Sequence, residues 1–141
     1  KFTAGMEEGL DSVEEGDRNW VDLVDGFYKP FADRLGVAME EAAAKSDDGE
    51  LYARLGNIYL DSDRNKEAIV AINKGLSRGG VKRPDTARLV LGMAYFNTKQ
   101  YDKAREAFQA AGRDERSAKY AEQWINYLDS ELERQAKLQD S

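Results

Sequence analysis

Leu55-Gly56-Asn57-Ile58-Tyr59 and Leu91-Gly92-Met93-Ala94-Tyr95 carry one Leu-Gly-x-x-Tyr pattern, 36 positions apart. Nine residues after each Tyr comes an alanine, Ala68 and Ala104, and four residues beyond that a bulky apolar side chain, Ile72 and Phe108. Leu and Tyr at i and i+4 share one face of a helix. The Gly between them has no Cβ, so a second helix can come close. Self-similarity at a period of roughly 20–50 residues is the mark of stacked supersecondary units, each of which buries its apolar face only against its neighbour.

The order Leu-Gly-x-x-Tyr, then Ala, then Ile or Phe resembles the tetratricopeptide repeat family over residues 48–130. Lys99-Gln100-Tyr101-Asp102-Lys103-Ala104 is also similar to the turn-and-entry sequence of that family. The resemblance implies an all-α fold: a right-handed superhelical stack of antiparallel helix pairs. Two repeats are expected, with an N-terminal helical pair before them and a C-terminal capping helix after them.

The rest of the chain can be placed around those repeats. Thr3 is a candidate N-cap for a helix over 3–15, with Met6, Leu10 and Val13 on one face. Gly16 ends it. Asp17 or Asn19 can cap a longer helix whose expected buried stripe is Trp20, Leu23, Val24, Phe27, Phe31, Leu35 and Ala38. Pro30 should kink that helix or split it after Tyr28. Ser46-Asp47-Asp48-Gly49 breaks the chain, and Asp47 or Asp48 is expected to cap the first repeat helix, with Glu50 completing a capping box. That helix runs to about Leu60. Its partner starts near Asn65 or Lys66 and stops at Ser77-Arg78-Gly79-Gly80, where Gly supplies a left-handed C-cap.

Val81 to Asp85 links the repeats, and Pro84 suits a first helical turn. Helices over Thr86–Asn97 and Tyr101–Ala111 form the second unit, closed by Gly112. From Ser117 a final helix is expected to turn Tyr120, Ala121, Trp124, Ile125, Leu128 and Leu132 inward. Its polar second half can project into water, as the end of a solenoid should.

Residues 1–44 carry 4 basic and 11 acidic side chains, and residues 45–141 carry 17 and 16. This shift suggests an acidic N-terminal helical segment, 1–44, and a repeat domain, 45–141. An acidic segment is a poor match for a phosphate backbone, so a protein or peptide partner is expected before a nucleic acid. No apolar run is long enough to span a membrane, and the first residues lack the apolar core of a signal peptide. The chain opens at Lys1 instead of Met, as expected of a processed or excised piece; a cytoplasmic location, or a periplasmic one if a signal peptide preceded Lys1, fits equally well.

Histidine and cysteine are both absent, which removes the usual general base, the common nucleophile and the preferred transition-metal ligands. Glu7, Glu8, Asp11, Glu14 and Glu15 read as a solvated helix face near a positive helix end. Asp61-Ser62-Asp63-Arg64-Asn65 begins with calcium-loop spacing, but Lys66 stands where that loop needs Gly and Ile72 where it needs Glu. No catalytic residue, no metal ligand and no cofactor is expected.

Lys1-Phe2-Thr3-Ala4-Gly5-Met6-Glu7-Glu8-Gly9-Leu10-Asp11, with Gly16, Trp20 and Phe27-Tyr28-Lys29-Pro30-Phe31, resembles a segment late in the core of bacterial type IA DNA topoisomerases. The resemblance covers residues 1–41. In that family the segment is scaffold, and the active-site tyrosine and acidic metal motif lie upstream, so no catalytic residue carries over. It implies a second possibility for the chain, a structural fragment or fusion associated with a topoisomerase-like protein.

The tetratricopeptide resemblance implies function on the concave face formed by the first helix of each pair. Its inner positions fall two before, two after and five after the Leu. Here they are Ala53, Asn57 and Leu60 in the first repeat and Leu89, Met93 and Phe96 in the second. Asn57 stands where relatives bind a ligand backbone or terminal carboxylate. The other positions are apolar and suit an amphipathic helix or an extended peptide. Ala53 and Val90 replace the Lys and Asn of the family's basic carboxylate clamp, so recognition of an acidic C-terminus is not implied. The alternative is that Leu89, Met93 and Phe96 are covered by the N-terminal helices or by the last helix.

Overall fold

Glycine decides where the helices of this chain can touch. The computed structural model describes residues 29–140, and all six regular elements among them are α-helices: α1 (Lys29–Lys45), α2 (Glu50–Asp61), α3 (Asn65–Arg78), α4 (Pro84–Asn97), α5 (Tyr101–Ala111) and α6 (Ala118–Gln139). The chain divides into two units between Val37 and Ala38. All contacts below belong to the second. The helix expected over 3–15 and the stripe from Trp20 to Phe27 lie outside the described residues.

The α2–α3 pair and the α4–α5 pair are built alike. Leu55, Ala68 and Ile72 are fully buried and Tyr59 nearly so. A Cβ at Gly56 would stand 2.2 Å from Ile72 Cγ1, and one at Gly92 would stand 2.5 Å from Phe108 Cε1. The two glycines therefore hold open the space that Ile72 and Phe108 fill, the seam that the repeated pattern predicts. The tight turns repeat as well: Asp63 and Lys99, 36 positions apart, have φ of 61° and 62°.

The entry to α2 differs from the expected capping box. Gly49 occupies the N-cap position, and no side chain caps there. A Cβ at 49 would lie 1.9 Å from the Gly75 carbonyl oxygen, so only glycine fits. The cap function moves back one residue. Asp48 Oδ1 accepts the Glu50 N–H at 3.1 Å, while the Glu50 carboxylate turns to the inter-repeat link. At the far end of α3, Gly79 closes the helix with φ of 83°.

In α1, Pro30 falls in the first turn. The expected inward positions Leu35 and Ala38 are exposed; Ala43 is fully buried and Met39 packs beside it against α2 and α3. Arg78 secures this end by donating from Nη1 to the carbonyls of Ala43 (2.7 Å) and Ser46 (3.0 Å), where the chain leaves α1. In α6, Ala121 and Leu128 are buried and Trp124, Ile125 and Leu132 partly so. Tyr120 departs from the expectation and is 59% exposed. Ala121, the next residue, faces Gly112 instead, where an added Cβ would stand 3.2 Å from its methyl.

Candidate functional site

Ala53 and Asn57 lie on α2 at i and i+4, on a different side from the buried Tyr52, Leu55, Gly56 and Tyr59. Opposite them α4 presents Thr86, Ala87 and Val90. A cleft of about 310 Å³ separates the two helices. Its apolar lining is small, Ala53, Ala87, Val81 and Val90; Asn57 and Thr86 add polar groups; Glu50, Arg54, Lys82 and Arg83 stand at the end nearest the inter-repeat link.

Those charged groups are held in fixed relation. Glu50 Oε1 accepts the backbone N–H of Lys82 at 3.1 Å and Oε2 accepts Arg54 Nε at 3.2 Å. Arg83 forks onto Asp85, with Nε 3.0 Å from Oδ1 and Nη2 2.7 Å from Oδ2. Asp85, 1% exposed, also accepts the Ser117 hydroxyl at 2.6 Å and has Arg116 Nη2 3.7 Å away. The Arg83 hydrogen bond, with help from Ser117, holds the Asp85 carboxyl well below the usual carboxylate range against the opposing effect of burial. This network ties the start of α4 to the start of α6. Arg83 therefore borders the cleft on one side and anchors the fold on the other.

The six groove positions named from sequence fall into three places. Ala53 and Asn57 share the cleft. Leu60 is partly buried between α2 and the helices around it. Leu89 is buried, with Met93 and Phe96 beside it, in a cluster with Phe108, Ala121 and Leu128. There Phe96 meets the rings of Tyr101, Trp124 and Tyr127, with centroids 5.6, 6.2 and 5.3 Å away. The last helix thus covers the second-repeat positions.

Sequence reasoning missed the charged end of the cleft. Glu50 was legible from its helical offset of three from Ala53, but Lys82 and Arg83 lie in a link with no periodicity. Nothing local marks Ser117 as the partner of Asp85. Among the described residues no cluster of acidic side chains could hold a metal ion, and no helix is long and apolar enough to cross a membrane.

Residues 49–78 and 86–111 match the tetratricopeptide repeat family. These two segments are tetratricopeptide repeats. The first repeat comprises α2 and α3, the second α4 and α5, and the cleft lies between the first helices of the two repeats. The chain is also 57% identical, over 37 residues, to DNA topoisomerase 1 of Pseudomonas aeruginosa; the match covers 26% of this chain and 4% of that protein. A second relative, a prokaryotic-type DNA topoisomerase 1 of Acanthamoeba polyphaga mimivirus, is 32% identical over 103 residues, covering 64% of this chain and 12% of that protein. The chain thus spans a small part of the length of these relatives. No solved structure matches it.

Proposed function

We infer that the chain is a protein-interaction scaffold that takes an extended segment of a partner into the cleft between α2 and α4. Tetratricopeptide repeats are generally units of protein interaction without catalytic activity. The observation that carries the finer reading is the cleft itself. It is open beside Ala53 and Asn57, while the matching positions of the second repeat, Leu89, Met93 and Phe96, are packed under α6. An exposed carboxamide at Asn57 has both a donor and an acceptor for a peptide backbone. The small floor leaves room for one or two ligand side chains.

Filling the cleft tests this. Ala53→Trp places a large ring where the ligand would lie, on a residue that is only partly buried. Purified wild-type and variant chains would be used as bait and the retained proteins identified by mass spectrometry. A protein held by the wild type and lost from the variant, with unchanged helical circular dichroism, is the expected outcome. Equal retention would sink the assignment.

The likeness to DNA topoisomerase 1 supports a second reading, in which this chain is a non-catalytic piece of, or attachment to, such a protein. It is expected to leave supercoiled plasmid unrelaxed when added alone with magnesium; relaxation that persists through purification would overturn both readings.

A further inference from the structure

The cleft between α2 and α4 has a charge opposite to that of the chain. The protein as a whole carries a formal −6. Four charged side chains border the cleft, and only Glu50 is acidic. That carboxylate has both oxygens engaged, by the Lys82 N–H and by Arg54, and its side chain is only 18% exposed. Arg54 and Arg83, in contrast, have side chains 59% and 45% exposed, and Lys82 is exposed as well. A ligand entering from solvent therefore meets cations first. Asp85 neutralises part of the Arg83 charge, but from beneath, at 2% exposure of its own side chain. The Arg83 fork onto Asp85 also fixes that guanidinium beside the cleft at little further entropic cost.

We propose that the preferred occupant of the cleft is an extended peptide carrying acidic side chains next to a small or medium apolar residue. The apolar residue rests on Ala53 and Val90, and the carboxylates face Arg54, Lys82 and Arg83. Its negative charge resides in side chains and needs no free C-terminus. This rests on the cleft being the binding site, as inferred above. Charge complementarity of this kind sets association rate and selectivity more than raw affinity, and it weakens with salt.

The test is a selection of random linear peptides displayed on phage, run in parallel on the full chain and on Ala53→Trp. Peptides captured only by the wild type should be enriched in aspartate and glutamate over the input library. Resynthesised with fluorescein and a blocked C-terminus, they should bind at least about tenfold more weakly to Lys82→Glu, a difference near 1.4 kcal/mol, and more weakly as sodium chloride is raised. Cleft-dependent peptides without acidic enrichment would overturn the charge preference and leave the cleft assignment standing. A selection that yields no Ala53→Trp-sensitive peptides would overturn both. A fluorescein-labelled single-stranded oligothymidine that binds the chain and is lost with Lys82→Glu would show that the cations serve a nucleic acid instead.

Discussion

A missing Cβ governs the seam at each repeat. At Gly56 the nearest atoms to an added methyl are the Ile72 side chain, and at Gly92 they are the Phe108 ring. Overpacking of this sort costs about 1–3 kcal/mol. Gly92→Ala is expected to be at the upper end, because a buried ring has less freedom to withdraw than an aliphatic chain. Gly56→Ala should be better tolerated beside Ile72→Ala, which removes both Cγ1 and Cδ1; denaturant melts of the two single variants and the double variant check the coupling. Lys99 sits at φ of 62°, a conformation costing an L-residue about 1–2 kcal/mol. Lys99→Gly should therefore raise the melting temperature, since the relief exceeds the extra chain entropy of glycine, about 0.5–1 kcal/mol. The seam residues were legible because the sequence prints them twice. Gly49 against Gly75 was not, because the second repeat has Asp85 and Ala111 at the corresponding positions and the pairing leaves no repeated trace.

Helices could be read from their periodicity, but the facing of the terminal ones could not. α2 to α5 lie where the repeat placed them. In α6, the apolar residues from Tyr120 to Leu132 describe a stripe wider than the surface available to receive it, and Tyr120 and Tyr127 remain outside. What fixes α6 is partly polar, the Ser117–Asp85 contact, which joins residues 32 apart in sequence. Ser117→Ala removes a buried hydrogen bond to a charged acceptor and should cost about 1.5–3 kcal/mol. Because the folded carboxyl of Asp85 is held below its ordinary pKa, its contribution is present above that ordinary value, about 3.9. It is lost as pH falls from there toward the folded pKa. Asp85→Asn should accordingly be less stable at neutral pH, and its melting temperature should fall less than that of the wild type as pH is lowered from about 5 to about 3.

For the whole molecule, composition suggested a division near Lys45, between an acidic segment and a nearly neutral one. The chain divides between Val37 and Ala38, inside α1. Charge is a surface property and does not report which side chains pack. Met39 and Ala43 join the cluster around Leu55 and Tyr59, and Arg78 takes its acceptors from Ala43 and Ser46. A chain of residues 46–141 is therefore expected to melt clearly lower than one of residues 38–141, by circular dichroism. The cleft was half legible at this scale. The family pattern pointed to Ala53 and Asn57, whereas the cations of the link became neighbours of those residues only through the stacking of one repeat on the next.

Counted from the seam leucine, Gly49 of the first repeat and Asp85 of the second occupy the same place. One must lack a side chain, because the Gly75 carbonyl fills the space; the other must have one, because Arg83 and Ser117 converge on it. The two units are therefore not interchangeable. A copy of the first unit in the second place would offer no carboxylate to Arg83 and Ser117, and an aspartate at position 49 would run into the Gly75 carbonyl. At this one position the two repeats make opposite demands, and the array reads in one direction.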